Sequence, residues 1–182
     1  YPLADSLGGF SLDPASGAEP KPYADERYTV EDDGLSQPWH GDVWLNPPYG
    51  REFNDRWAEK TLAESRRAEV DSITALVPGS VDTDWFQENY GQADVLTFLD
   101  GRVDFVGEKD LSPSFPSVIA TFGLENVTKE YLDVLDGFGL TYPRTESFLK
   151  RLVEDGHTPA EALDTYFTQF RDFSYAEWAR IR

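Results

Sequence analysis

The chain has 182 residues, 40% of them hydrophobic and 14% aromatic, which fits one folded α/β domain with a short appendage and excludes a disordered chain. The absence of cysteine excludes disulfides, thiolate metal sites and a cysteine nucleophile, and with that nucleophile it excludes methylation at C5 of cytosine. Acidic residues outnumber basic ones by 34 to 16, which gives an unusual net charge of −18. Because no apolar stretch reaches the ~18–20 residues of a membrane span, a cytoplasmic protein is expected.

Short apolar runs that stop at turn residues predict strands, and they alternate with stretches of helical spacing. Two helices are predicted in the first part of the chain, over 53–69 and 82–91. Beyond Pro143 the pattern changes to three helical stretches, 146–154, 159–171 and 174–181. The predicted strands, in chain order, are 9–13, 28–30, 42–45, 72–77, 95–98, 103–106 and 117–122.

The alternation of strands and helices predicts a mainly parallel sheet covered on both faces, in a domain spanning 1–143 with a helical extension over 144–182. In such sheets ligands bind at the carboxyl ends of the strands. Asp13 and Asn46 both stand at predicted strand ends, so this edge is the expected binding site. His40 and His157 are isolated, and no metal site is predicted.

The sequence Asn46-Pro47-Pro48-Tyr49 at the end of a strand is the strongest local signal. An exocyclic amine is a poor nucleophile because its lone pair is delocalised into the ring. Two acceptors aimed at its hydrogens, the Asn46 side-chain oxygen and the Pro47 carbonyl, would draw that lone pair out of conjugation. The double proline fixes the backbone, and Tyr49 offers a ring on which an extruded base can stack. A plain strand ending at a Pro-Pro turn is the alternative.

Two acidic turns upstream suit a nucleotide-like ligand. Phe10-Ser-Leu-Asp13 is followed by the small residues Pro14, Ala15 and Ser16, so the backbone could approach a ligand closely. Asp32, Asp33 and Gly34 form the second turn, in which Asp33 could accept a hydrogen bond from a cofactor adenine. No full Gly-x-Gly is present, and solvated Asp turns remain an alternative at both places.

Taken in order, these segments resemble the phage-type DNA N-6-adenine methyltransferases over roughly residues 1–123. Ordered agreement of several motifs is more specific than any one of them. The matching segments are Phe10-x-Leu-Asp13-Pro-Ala-Ser, Tyr28-Thr-x-x-Asp32-Asp33-Gly-Leu, Trp39, Val43-Trp-Leu-Asn46-Pro-Pro-Tyr-Gly50, Trp57-x-x-Lys60, Leu76-Val-Pro78, Asp82-Thr-x-Trp85-Phe86, Gly101-Arg102-Val-x-Phe105 and Phe115-Pro-Ser117.

The resemblance implies a Rossmann-like methyltransferase fold, S-adenosylmethionine as cofactor and double-stranded DNA as substrate, with or without a cognate restriction nuclease. It implies that Phe10, the 13–16 turn, the 32–34 turn and Asn46 contact the cofactor. Residues 46–49 would handle a flipped adenine, and Asp82, Trp85 and Arg102 would line or brace the site. The stretch from Asp13 to Asn46 is short for a full class I methyltransferase, so an abbreviated cofactor pocket is expected.

Two further features leave alternatives open. The tail from Thr158 onward resembles the opening of a helix-turn-helix module, against the alternative of a helical cap. The acidity, concentrated in 1–143, is typical of proteins from halophilic organisms or their viruses, since molar salt shortens the Debye length to ~3 Å and screens repulsion from DNA. Rival functions are methylation of cytosine N4, an RNA base or a protein glutamine, and a non-catalytic acidic binding protein.

Overall fold

The computed structural model describes residues 9–17, 24–103, 115–123, 129–144, 149 and 152–171. Seven strands and four α-helices lie in these ranges, with a 3-10 helix at Tyr90–Gln92. The helices are α1 (Asn54–Glu64), α2 (Asp84–Glu88), α3 (Lys129–Asp136) and α4 (Pro159–Arg171). The strands are β1 (Phe10–Asp13), β2 (Ala24–Arg27), β3 (Gly41–Leu45), β4 (Val70–Pro78), β5 (Val95–Leu99), β6 (Ser117–Phe122) and β7 (Gly139–Pro143).

The strands form one sheet in the order β2-β1-β3-β4-β6-β5-β7. Neighbours among β2, β1, β3 and β4 run parallel. Strand β6 is antiparallel to both β4 and β5. Hydrogen bonds that join Asp100 to Phe138 and Thr97 to Thr141 pair β7 with β5 in opposite directions. The sheet is therefore mixed, and the prediction of a mainly parallel sheet was wrong for its second half.

Most predicted elements of the first part are present, with shifted bounds. The segment 28–30 is not a strand, because Thr29 starts a turn in which its backbone N–H donates to the Asp32 carboxylate at 2.8 Å. The paired strand lies earlier, at Ala24–Arg27. Helix α1 ends at Glu64, not at residue 69. The predicted strand over 103–106 falls, apart from residue 103, outside the described residues.

Strands β4 and β6 form the centre of the core. Every residue of β6 is buried, as are the last six residues of β4. Helix α3 is tied to both strands by the buried Tyr131 hydroxyl, which lies 2.8 Å from Thr74 Oγ1 and 2.9 Å from Thr121 Oγ1. Burial raises the pKa of Tyr131 to about 12, so this hydroxyl stays protonated and can donate.

The carboxyl ends of β1, β3 and β4 meet at one edge of the sheet because these strands run parallel. Strand β6 runs the other way and enters the sheet there, with Ser117 opposite Pro78. This edge therefore collects the turn after Asp13, the segment after Leu45 and the start of β6.

The chain divides into two compact units, 1–141 and 142–182. In the second unit, helix α4 spans Pro159–Arg171, the range predicted from the sequence. Its start carries a capping box, in which Thr158 N–H donates to the Glu161 carboxylate at 2.8 Å and Glu161 N–H donates to Thr158 Oγ1 at 3.3 Å. The helical stretch 174–181 lies outside the described residues, and 146–154 lies partly outside. No helix in the described part combines the length and apolarity of a bilayer span.

Candidate active site

The carboxyl edge of the sheet holds a buried acid at the end of β1. The Asp13 residue is only 8% exposed, and its Oδ1 accepts a hydrogen bond from Ala15 N–H at 3.1 Å. Burial raises the pKa of Asp13 to about 6, although the Ala15 bond and the charge of Arg27 oppose the shift. A cationic partner would stabilise the ionised form of this carboxyl group, because it would offset the hydration that the carboxylate loses on burial.

The two predicted cofactor turns lie against each other. A Cβ atom at position 34 would collide with the Pro14 carbonyl oxygen, so only glycine allows this approach of backbone to backbone. Tyr28 N–H donates to the Asp13 carbonyl at 2.9 Å, and Ser16 N–H donates to the Tyr28 carbonyl at 3.0 Å. The structure thus brings together segments 13–16 and 32–34, which stand far apart in sequence.

The acids of the second turn differ in their local roles. Asp32 is exposed and closes the turn by accepting from Thr29 N–H, a bond that holds the pKa of this carboxyl below its ordinary value. Asp33 is also exposed and adopts a left-handed backbone with φ of 51°. Its side chain therefore stands on the surface of the turn, while Gly34 is buried against the first turn.

A charged network behind the second turn fixes its position. The Trp39 indole N–H donates to the Gly34 carbonyl at 3.0 Å, and Trp39 backbone N–H donates to Glu64 Oε2 at 2.9 Å. Lys60 and Arg67 lie 2.7 and 2.6 Å from the two oxygens of the Glu64 carboxylate. Burial opposes ionisation of Glu64, but these three donors together hold its pKa below the ordinary value.

Phe10 has a different position from the other predicted cofactor residues. It begins β1 and is 4% exposed, with its ring 5.5 Å from that of Trp44. Phe10 lies three residue steps before Asp13, about 10 Å along the strand. Its ring belongs to the core near the amino end of the strand.

The Asn46-Pro-Pro-Tyr49 segment follows β3 at the same edge as Asp13. Leu12 pairs with Val43, so Asn46 stands two residues beyond the position that neighbours Asp13. With strands about 4.8 Å apart, the two residues lie within roughly 10 Å of each other. Pro47 is buried and Pro48 exposed, while Asn46 and Tyr49 are half-buried.

The Tyr49 side chain folds back over the end of β3. Its hydroxyl lies 2.7 Å from Asn46 Oδ1 and 3.1 Å from the Leu76 carbonyl oxygen of β4. The rings of Tyr49 and Phe115 meet edge to face, with centroids 5.6 Å apart. The chain around Phe115 is itself anchored, because Gly79 N–H donates to the Pro116 carbonyl at 2.8 Å. The Tyr49 side chain is thus positioned by two contacts of its hydroxyl and by the contact of its ring with Phe115.

Asp82, Trp85 and Arg102, which the resemblance assigns to the site, lie after β4 and β5 in the chain. Asp82 and Arg102 are exposed. Trp85 packs edge to face on Phe86 and Tyr90, with ring centroids 6.0 Å away in both pairs. Across the described ranges, no hydrogen bond or ring contact joins these three residues to Asn46.

Three groups that the structure places at or behind the site were not predicted as site groups from the sequence. They are the Glu64 carboxylate, the Leu76 carbonyl and the Phe115 ring. Glu64 gave a faint signal, since Lys60 and Glu64 are spaced as an i,i+4 helix pair. The other two depend on which strands become neighbours. Within the described residues, no group of three or more His, Asp or Glu side chains could hold a metal ion.

This geometry combines two capacities. One side of the edge offers a buried acid and a glycine turn that suit a cationic, nucleotide-like ligand. The other side offers an amide and an aromatic ring that suit a planar amine. A model of the family described as DNA N-6-adenine-methyltransferase (Dam) matches residues 2–115. No curated protein matches the chain.

Proposed function

Because the chain belongs to the DNA N-6-adenine-methyltransferase (Dam) family, we propose that it transfers a methyl group from S-adenosylmethionine to N6 of adenine in double-stranded DNA. The observation that carries this proposal is the meeting of Asp13 and Asn46 at one sheet edge. A methyl donor held by the first and an amine held by the second would be adjacent. We assign this arrangement to a Rossmann-like methyltransferase site.

The cofactor side fits S-adenosylmethionine by its chemistry. Ionised Asp13 would attract the cationic methionine part, while the turns 13–16 and 32–34 offer backbone groups close to a ligand. Asp33, exposed at the tip of its turn, would accept from the adenine amine of the cofactor. When bound, S-adenosylmethionine supplies an electrophilic methyl group.

On the other side of the edge, Asn46 and Pro47 would act on the lone pair of the adenine N6 nitrogen. Asn46 Oδ1 and the Pro47 carbonyl would accept the two N6 hydrogens of adenine, which draws the nitrogen lone pair out of the ring. Tyr49 would stack on the base after its extrusion from the duplex. The sulfonium methyl is transferred to the nitrogen, S-adenosylhomocysteine is released, and the proton lost by the amine passes to solvent.

The acidity of the protein bears on how it meets DNA. A charge of −18 opposes an approach to phosphates at low salt, whereas at molar salt the Debye length of ~3 Å screens this repulsion. We therefore propose a salt-adapted, halophilic protein whose methyl transfer increases with salt. Stacking and contacts to the base would carry more of the affinity than counterion release.

The test is to incubate the protein with plasmid DNA and labelled S-adenosylmethionine at low and molar salt, and then to digest the DNA to nucleosides. Label in N6-methyl-2′-deoxyadenosine supports the proposal, and sequencing of undigested methylated plasmid gives the flanking bases. Label in N4-methyl-2′-deoxycytidine, or label in RNA or protein supplied in place of the plasmid, would replace the proposed acceptor. Failure to bind S-adenosylmethionine by calorimetry at every salt concentration would overturn the enzyme assignment.

A further inference from the structure

The Tyr49 hydroxyl faces two hydrogen-bond acceptors but carries a single proton. It lies 2.7 Å from Asn46 Oδ1 and 3.1 Å from the Leu76 carbonyl oxygen. While Asn46 Oδ1 faces Tyr49, the hydroxyl can donate its proton to only one of the two oxygens at a time. The Asn46 oxygen in contact with Tyr49 is also the atom that an amine substrate would need.

Turning the Asn46 amide by 180° resolves this conflict. The hydroxyl would then donate to Leu76 and accept a hydrogen bond from Asn46 Nδ2. The separation of 2.7 Å between these atoms lies within the range of an N–H···O bond, at its short end. An asparagine amide is nearly symmetrical, so its hydrogen-bond partners decide which atom faces which way. The Leu76 carbonyl, fixed in the central strand, is a permanent acceptor on one side.

We propose that Tyr49, through the Leu76 carbonyl, acts as a positioning residue that turns the Asn46 amide so that its oxygen faces the target amine. The inference rests on the proposed function and adds a role for the hydroxyl beside the stacking role of the ring. Without the hydroxyl, Asn46 could present Nδ2, a donor, to an amine that needs an acceptor. The enzyme would then spend part of its time in an unproductive setting.

A carboxylate at position 46 would not need this help. Both of its oxygens are acceptors, so rotation by 180° changes nothing. The positioning role therefore predicts coupling between residues 46 and 49 of a particular kind. Tyr49→Phe should reduce kcat in the wild-type background but should have little effect in the Asn46→Asp background.

The experiment is a double-mutant cycle on methyl transfer to DNA under saturating S-adenosylmethionine. Tyr49→Phe is expected to lower kcat about 2-fold beside Asn46, because the two settings of the amide become about equally populated, and to leave kcat unchanged beside Asp. KM for S-adenosylmethionine should stay unchanged, and the ring still stacks. Tyr142→Phe, at a side chain 51% exposed, is the matched control and should leave kcat unchanged.

The outcomes separate this inference from the proposed function. Wild-type protein that methylates no adenine overturns the proposed function, whatever residue 49 does. An active wild type whose kcat falls equally in both backgrounds, or in neither, overturns the positioning role alone.

A second readout covers the case in which Asn46→Asp is inactive. Nitrogen-15 NMR of the Asn46 side chain in the complex with DNA and S-adenosylhomocysteine should show one Nδ2 proton protected from exchange. That protection should be lost in Tyr49→Phe and kept in Tyr142→Phe. Two unprotected protons in the wild-type complex would overturn the proposal.

Discussion

The two sides of the sheet edge are built in different ways. On the Asp13 side, two turns are pressed together through their backbones, and the decisive feature at Gly34 is the absence of a side chain. On the Asn46 side, polar atoms of two side chains and one carbonyl are arranged within hydrogen-bond distance. The Asp13 side should therefore be sensitive to added atoms, and the Asn46 side to removed atoms. Four predictions test this difference.

Removal of the amide should have the largest effect. Asn46→Ala deletes one of the two acceptors for the amine, and loss of one preorganised group of this kind costs about 10²–10³-fold in kcat. Single-turnover methylation of DNA measures the rate, and calorimetry measures cofactor affinity. Unchanged kcat, or equal losses of kcat and cofactor affinity, would contradict the separation of the two sides.

Addition of one methyl group should disrupt the opposite side. In Gly34→Ala the new Cβ meets the Pro14 carbonyl, and forcing the turns apart costs about 1–3 kcal/mol, or about 5–150-fold if expressed in S-adenosylmethionine affinity. Gly17→Ala is the matched control, because nothing lies within 4 Å of its Cβ position. Equal binding by both variants would show that the packed turns do not form the cofactor site.

A change of pH should act on the Asp13 side. The folded-state pKa of about 6 lies above the ordinary 3.8, so the stability contributed by protonated Asp13 is present at low pH and is lost as pH rises through about 6. A cationic cofactor prefers the ionised form. Its affinity should therefore fall about 10-fold between about pH 7 and pH 5, measured by calorimetry.

The matched variant for this prediction is Asp13→Asn, which removes the titrating group. It should bind S-adenosylmethionine weakly and with little dependence on pH in that range. A wild-type affinity that rises on acidification would contradict the assignment of Asp13 to the cationic part of the cofactor.

The smallest effect is expected from the network behind the second turn. Glu64→Gln weakens the bonds to Lys60 and Arg67, and should lower the free energy of unfolding by about 1–3 kcal/mol. Because the folded pKa of Glu64 is depressed, its contribution is present above the ordinary value of 4.5 and is lost as pH falls below it.

Chemical denaturation at neutral and acidic pH measures this effect. Glu59→Gln, at an exposed position of the same helix, is the control and should change stability little. A Glu64→Gln protein as stable as wild type at neutral pH would show that the network does not brace the turn.

Much of the fold and site follows from local sequence. Strands that end in Asp13 and Leu45 could be predicted from apolar runs that stop at turns, and helix α4 from the helical spacing over 159–171. Strand direction was misjudged because an apolar run looks the same whichever way it runs. Thus β6 gave no sign that it would enter the sheet antiparallel between β4 and β5.

The rest of the site depends on contacts between distant parts of the chain. Glu64 meets Trp39 across 25 positions, and Tyr49 meets Leu76 across 27. Neither pairing leaves a periodic pattern in the sequence. Asn46 and Tyr49 could be chosen from the sequence because their side chains suit an amine on a planar base. The hydrogen bond between the Tyr49 hydroxyl and the Leu76 carbonyl is visible only in the folded chain.

The reversed direction of β6 has a consequence for protein engineering. Strands β3 and β4 end at the edge where β6 begins, so Phe115, just before β6, lies beside Tyr49, which follows β3. A segment grafted immediately before Phe115 would end beside the Tyr49–Phe115 pair without interrupting β1 or β3. Such a graft offers a way to vary the proposed DNA contact while the residues proposed for methyl transfer keep their scaffold.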